Sequence, residues 1–123
     1  MLPIVSLIVP CYNEEKTIRL LLDALLAQTY PLVQMEVVIA DGLSLDNTHA
    51  EITRFQNEHP EVTVRVIDNA AQIIPAALNA AIKASEGEII IRMDAHSAPA
   101  PDYVQRCVDA LNAGLGDNVG GVW

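Results

Sequence analysis

The sequence has 123 residues, of which 51% are hydrophobic and 19% charged. This balance suits one domain with a single buried core and gives no sign of disorder. Seven Lys and Arg residues against 16 Asp and Glu give a net charge of −9, so the surface repels phosphate backbones and nucleic-acid binding is not expected. No apolar run approaches the ~18 residues that span a bilayer, and the amino terminus lacks the basic flank of a signal peptide. We therefore expect a cytoplasmic domain in which both cysteines, Cys11 and Cys107, are reduced thiols.

The first apolar run, residues 4–9, predicts a buried strand that ends at Pro10. Asn13 can cap a helix that begins near Glu14, because leucines follow it at helical spacing. The acidic residues of that first turn also suit the positive end of the helix dipole.

A second apolar run, residues 35–40, predicts a strand with Asp41 at its carboxyl end. Asp46 or Asn47 can cap a more polar helix, which runs to about residue 59. Two histidines in or near this helix are assigned no function, His49 and His59.

Residues 62–67 alternate well enough to predict a third strand, and the alanine-rich segment 75–85 predicts a helix with proline in its first turn. The fourth strand, residues 88–93, has Asp94 at its carboxyl end. Pro101 opens a last helix with one apolar face.

The segment 119–123 predicts the start of a fifth strand. Alternating strands and helices predict an open α/β sheet, mostly parallel, with helices on both faces. Ligands of such sheets bind outside the carboxyl ends of the strands. The polar loops at these ends, residues 10–14, 41–48 and 94–97, are therefore the predicted binding region.

The chemistry of these loops is acidic. No Gly-x-Gly-x-x-Gly motif or Gly-Lys-Ser/Thr phosphate loop is present, so nicotinamide and P-loop chemistry lose their usual means of holding phosphate. Asp41 and Asp94 can instead accept hydrogen bonds from a ligand, and Asp94 and His96 could face one metal ion.

Each of these residues also has an ordinary structural interpretation. Asp41 and Asp94 can be turn residues, Asp46 a helix cap, and a single histidine such as His96 is more often structural than a ligand. From the residues alone, the sequence predicts an α/β ligand-binding domain with an acidic mouth.

Four segments in register, which together cover essentially the whole chain, resemble glycosyltransferase family 2. They lie at residues 5–15, 25–31, 38–48 and 84–96. The succinoglycan-biosynthesis glucosyltransferases are especially similar. They share the Asp-Gly-x-Ser loop, the Arg-x-Asp-Ala-His-Ser segment and the Val-Gly-Gly-Val-Trp end.

The resemblance implies a GT-A fold, a Rossmann-like sheet that binds a nucleoside-diphosphate sugar, with UDP-glucose as the expected donor. It implies inverting transfer to a growing saccharide or lipid-linked acceptor. The donor-binding residues it implies are Pro10, Tyr12, Asn13, Glu14, Asp41, Asp94 and Ala95. Asp41 would accept from the base, and Asp94 with His96 would hold Mg²⁺ or Mn²⁺ in place of the family's Asp-x-Asp motif.

The sequence departs from the family in three ways. His96 replaces the second Asp of Asp-x-Asp, which puts the identity of the metal in question. Ala40 replaces a residue that is often acidic. Family members also continue well beyond Trp123, where we expect the catalytic base, the acceptor site and membrane-associated segments. Residues 1–123 are accordingly interpreted as a donor-binding half, cut at the start of the fifth strand and inactive alone.

Three other classes of protein share some of these features. A phosphoacceptor receiver domain needs an acidic pair directly after its first strand, where this chain has Pro-Cys-Tyr-Asn. A nucleotidyltransferase usually has a basic, glycine-rich loop there, and this loop is acidic. A non-catalytic nucleotide-sugar-binding module remains compatible with the sequence.

Overall fold

The computed structural model describes residues 2–113, over which strands and helices alternate. The strands are β1 (Val5–Cys11), β2 (Met35–Asp41), β3 (Thr63–Asp68) and β4 (Ile89–Arg92). The helices are α1 (Ile18–Leu26), α2 (Thr48–Glu58), α3 (Ile74–Ala84) and α4 (Tyr103–Asn112), and a 3-10 turn spans Leu32–Gln34. The strands form one parallel sheet in the order β3-β2-β1-β4. This confirms the predicted α/β class, while the predicted fifth strand at Val119 lies outside the described residues.

Helices cover both faces of the sheet, as the sequence predicts. On one face, α1, α2 and α4 pack against the strands in the main core, which includes Leu22, Phe55 and Val104. On the other face, Ala77 and Ala81 of α3 pack against apolar residues of β1 and β2. Because the central strands β1 and β2 are covered on both sides, nearly all of their residues are buried.

The prediction that Pro10 ends the first strand is wrong, since β1 continues to Cys11. The Ile8 carbonyl accepts from the N–H of Met93, just after β4, so Ile8 faces β4. The Cys11 carbonyl accepts from the N–H of Gly42, just after β2, so Cys11 faces β2. Because alternate residues of a strand bond to opposite neighbours, Pro10 turns its nitrogen toward β4, whose pairing with β1 has already ended at Arg92. A proline without an N–H is therefore tolerated there.

The prediction that Asn13 caps the first helix is also wrong. The helix α1 begins at Ile18 after Thr17, and residues 14–17 form a turn in which the Glu14 carbonyl accepts from Ile18 N–H at 2.8 Å. Asn13 instead has a left-handed backbone, with φ of 51°. Asparagine tolerates this conformation better than most residues.

The helices α2 and α3 begin and end within two residues of the predicted positions, and α4 begins two residues after Pro101. Asn47 occupies the residue before α2 without a side-chain cap bond. The neighbouring Asp46 carboxylate accepts from the N–H of Thr48 at 3.0 Å. Across residues 2–113, no helix combines the length and the apolar character needed to cross a bilayer.

A buried polar cluster fixes the loop between α3 and β4. The carboxylate of Glu36, on β2, accepts from the Ser6 hydroxyl at 2.5 Å, from the Glu86 N–H at 2.6 Å and from Arg65 at 2.7 Å. Burial by itself would raise the pKa of Glu36, but these hydrogen bonds together hold that pKa below its ordinary value. Gly87 follows in the same loop, and a Cβ there would lie 2.5 Å from the Ser6 hydroxyl.

Candidate donor-binding site

A cleft of about 180 Å³ opens at the carboxyl ends of the strands, where the sequence places its polar loops. Most of the predicted site residues line it together: Pro10, Tyr12, Glu14, Asp94, Ala95 and His96. They come from the ends of the neighbouring strands β1 and β4, which explains why residues 80 positions apart meet. The volume is below the ~300 Å³ typical of ligand pockets, so this cleft can enclose only part of a nucleotide sugar.

One side of the cleft is acidic. Nδ1 of His96 lies 3.8 Å from Oε1 of Glu14, and Arg92 lies 3.5 Å from Asp94. The Thr17 hydroxyl donates to Oε2 of Glu14 at 2.7 Å and so fixes that carboxylate beside His96. Among residues 2–113, those that line the cleft include carboxylates but no Lys or Arg. An anionic ligand would therefore need a cation to offset the repulsion.

The described residues contain no group of three or more His, Cys, Asp or Glu side chains arranged to hold a metal. Asp94 offers carboxylate oxygens and His96 an imidazole nitrogen, both at the rim of the cleft. Oxygen donors suit Mg²⁺ and Mn²⁺, whereas imidazole favours softer ions. Two side chains do not complete a coordination sphere, so an ion held by this pair would need further ligands from a diphosphate or water.

Asp41 lies behind the cleft and not among the residues that line it. Its side chain is fully buried, with 0% exposed. The carboxylate accepts from the Ser44 N–H at 3.0 Å, from the Ser44 hydroxyl at 2.5 Å and from Nε2 of His49 at 2.6 Å. His49, to which the sequence assigned no function, reaches Asp41 because the first turn of α2 lies beside the end of β2, which the spacing does not show.

Asn13 does not line the cleft either, but it ties the first loop to the second. Its N–H donates to the Ser44 hydroxyl, and its side-chain oxygen accepts from the Leu45 N–H, both at 2.8 Å. The left-handed backbone of Asn13 makes this cross-link possible by turning the chain sharply after β1.

The loop between β3 and α3 forms a third wall that the sequence analysis missed. Gln72 lines the cleft and donates from Nε2 to the Gly42 carbonyl at 2.7 Å, while Asn69 N–H donates to the Asp41 carbonyl at 2.7 Å. Gln72 has a φ of 58°. Asparagine and glutamine at a strand end were the available signal, but only the adjacency of β2 and β3 places them at the site.

Cys11 also lines the cleft, and its thiol is unreactive. Burial raises the pKa of its thiol to about 12, and the nearby charges of Asp41, Glu14 and Asp46 act in the same direction. The thiol therefore stays protonated at neutral pH and is not available as a nucleophile.

A parallel α/β sheet with a polar, acidic cleft at its carboxyl edge has the architecture of an α/β ligand-binding domain. The sequence profile described as Glycosyl transferase family 2 matches residues 6–123. The chain belongs to this family of glycosyltransferases, as the resemblance of its motifs implies. Receiver and nucleotidyltransferase interpretations are thereby set aside.

Known relatives share this assignment. The chain is 38% identical over 111 residues to the succinoglycan biosynthesis protein ExoA of Rhizobium meliloti, covering 88% of this chain and 33% of ExoA. It spans between 33% and 39% of the length of the first curated relatives that it matches.

Solved structures agree on the fold. The mannosyltransferase PcManGT from Pyrobaculum calidifontis, solved with GDP-Man and Mn²⁺, superposes with a TM-score of 0.83 at 32% identity, over 98% of this chain and 34% of that one. Residues 1–349 of TarS from S. aureus, in complex with UDP, superpose with a TM-score of 0.75 at 27% identity, over 89% of this chain and 32% of that one. These matches confirm the predicted GT-A class of fold.

Proposed function

We propose that residues 1–123 bind the nucleoside-diphosphate sugar in an inverting glycosyltransferase, with UDP-glucose as the first candidate donor. The acceptor we propose is a growing saccharide or lipid-linked glycan at the cytoplasmic face of a membrane. The observation that supports this most is the cleft at the carboxyl ends of β1 and β4, which joins Pro10, Tyr12, Glu14 and Asp94. Bound GDP-Man in one structural neighbour and UDP in another support a nucleotide donor of this class.

The cleft residues divide between the parts of the donor. Tyr12 is 46% exposed and rests against Gly42, so its ring offers a face to a nucleobase. Asp94 and Ala95 lie against the ribose and diphosphate. Asp41 accepts from an N–H of the nucleobase, a contact that requires its neighbours to move, because this carboxylate is fully buried behind the cleft. Glu14 and Asp94 are thus committed to the donor, and we assign the base that deprotonates the acceptor to neither of them.

Asp94 and His96 would hold a divalent cation, Mn²⁺ or Mg²⁺, and Mn²⁺ in a neighbour's structure supports this assignment. When bound, the ion neutralises the charge of the leaving diphosphate. Since Nδ1 of His96 faces Glu14, Nε2 is the nitrogen available to the ion. Carboxylates that contact the second nitrogen of a ligand histidine commonly fix its orientation.

Calorimetric titration of UDP and UDP-glucose, with and without Mn²⁺, tests this proposal. We expect Mn²⁺-dependent binding that the Asp94→Ala variant loses by at least about tenfold, because one of two metal ligands is removed. Asp102→Ala is the matched control, since Asp102 is exposed before α4 and does not line the cleft. Equal binding by the Asp94 and Asp102 variants would contradict the proposed role of Asp94, and absence of all nucleotide binding would reject the donor site.

A further inference from the structure

The Asp41 carboxylate has an unusual balance of burial and hydrogen bonding. Its side chain is fully buried, and a buried carboxylate is costly unless donors satisfy its oxygens. A carboxylate offers about four acceptor positions. In the described residues three donors occupy three of them: the N–H and hydroxyl of Ser44, and Nε2 of His49. One acceptor position has no donor from the described residues, and because the side chain is 0% exposed, a ligand N–H reaches it only if neighbouring residues move as the ligand binds.

The two partners fix the carboxylate from different elements. Ser44 bonds both oxygens from the β2–α2 loop and is itself held by the Asn13 N–H. His49 reaches Oδ2 from the first turn of α2. Because a carboxylate only accepts, Nε2 of His49 is the protonated nitrogen in this contact. Without the imidazole, water could enter beside Oδ2 and the carboxylate could turn to meet it.

The exposure of His49 indicates that its contact with Asp41 contributes little to the stability of the fold. Its side chain is 49% exposed, whereas that of Asp41 is 0% exposed. Replacing a half-exposed side chain at a helix surface usually changes stability little. Loss of this contact should therefore change the position of the Asp41 carboxylate and leave the packing of the core unchanged.

We infer that His49 is a positioning residue of the donor site, which acts through Asp41. Its imidazole holds the buried carboxylate so that the remaining acceptor position meets an imide-type N–H of the nucleobase, such as that of uracil or guanine. This inference rests on the proposed donor-binding function. It predicts that His49 affects recognition of the base and leaves recognition of the diphosphate unchanged.

The experiment compares binding of UDP with binding of inorganic pyrophosphate, both with Mn²⁺, to the 123-residue chain. His49→Leu removes the hydrogen bond, and His49→Gln keeps a side-chain N–H that can reach Asp41. His59→Leu is the matched control, because it makes the same change just beyond the other end of α2. GDP replaces UDP if the wild-type chain binds it more tightly.

We expect His49→Leu to weaken nucleotide binding by about tenfold, the effect of losing one hydrogen bond of ordinary strength. Pyrophosphate binding should be unchanged, and His49→Gln should restore most of the nucleotide affinity. The inference is overturned if His49→Leu binds nucleotide as well as His59→Leu does. It is equally overturned if nucleotide and pyrophosphate weaken together, which would mark a general structural defect. If the wild-type chain binds pyrophosphate but neither UDP nor GDP, the site does not recognise the base and this inference is rejected. That result would still support binding of the diphosphate with a metal ion, as the proposed function requires.

Discussion

Three residues other than glycine have left-handed backbones, Asn13, Leu43 and Gln72, among the residues that the structure describes. All three lie in loops at the carboxyl edge of the sheet, beside or near the cleft. For a residue with a Cβ this conformation costs ~1–2 kcal/mol. Strain of this kind concentrates where loop geometry serves a binding site. The hydrogen bonds of Asn13 and Gln72 to the neighbouring loop are what the strained backbone achieves here.

Leu43 allows the strain to be measured. Leu43→Gly should relieve it, whereas Leu45→Gly, two residues along the same loop, has no left-handed backbone to relieve. Both changes add the same flexibility to the unfolded chain, so the comparison cancels that effect. We expect the Leu43→Gly variant to have a free energy of unfolding about 1 kcal/mol higher than Leu45→Gly. Leu43 is 43% exposed and Leu45 86%, so the greater loss of buried apolar area in Leu43→Gly opposes the gain. Urea denaturation measures both variants, and a Leu43→Gly variant less stable than Leu45→Gly would contradict the prediction.

At the scale of elements, β4 depends on a carboxylate that belongs to another strand. Glu36 of β2 receives the Glu86 N–H from the loop that leads into β4, and Ser6 of β1 receives the N–H of Gly87. These bonds fix where the loop joins β4 relative to β1, and Asp94 lies two residues after the end of β4. The cluster lies at the opposite edge of the sheet from the cleft, yet it sets the register of a strand that supplies the cleft.

The lowered pKa of Glu36 makes this element sensitive to acid. A carboxylate with a lower pKa in the folded state stabilises that state above its unfolded pKa of about 4.3. This contribution disappears as the pH falls through the folded pKa. We expect Glu36→Gln to lower the free energy of unfolding by about 2 kcal/mol at neutral pH and by progressively less in acid.

Urea denaturation over a series of pH values, from neutral to below the ordinary pKa of glutamate, measures this convergence. The exposed Glu88→Gln is the matched control, and it should stay close to the wild-type chain at every pH. A constant difference between Glu36→Gln and the wild-type chain would contradict the assigned shift.

The sequence predicted the elements well where hydrophobic period decided them. Each of β1 to β4 coincides with an apolar or alternating run, and the apolar face predicted for the last helix packs in the core through Val104 and Val108. The sequence-based predictions were wrong where the end of an element depends on a neighbouring element. The continuation of β1 through Pro10 depends on where β4 ends. The delayed start of α1 depends on Asn13 bonding the second loop instead of its own helix.

The same division applies to the site. Six of the predicted site residues line one cleft because parallel strands bring their carboxyl ends together. The contacts of Gln72 and His49 were not visible in the sequence. Gln72 bonds a loop that follows another strand, and His49 returns from the first turn of α2 to the end of β2. A motif shows which residue types a loop offers, whereas strand order determines which loops meet.

At the scale of the whole molecule, repulsion among the excess acidic residues, which give a net charge of −9, destabilises the folded state. Surface ion pairs such as Arg19 with Asp23 and Glu58 offset little of it, because exposed pairs contribute ~0–1 kcal/mol. Sixteen acidic residues face only seven basic ones. Repulsion therefore outweighs pairing, and screening should stabilise the fold.

We expect the melting temperature to rise by a few degrees as the ionic strength increases from well below to above the physiological value. Sodium chloride and potassium chloride should act equally, because screening depends on ionic strength and not on the monovalent ion. Thermal unfolding followed by circular dichroism checks this. A melting temperature that falls with salt would mean that attractive ion pairs dominate instead.

The central position of β1 has a consequence for how the chain acquires its structure during synthesis. Val5 pairs with Met35 on one side and with Ile89 on the other. Strand β1 leaves the ribosome before β4, so its second edge stays unpaired until β4 has followed. Such distant pairings make folding slow, because a long loop must close before the contact forms. An apolar strand that waits with an open edge is a natural binding target for a chaperone during translation.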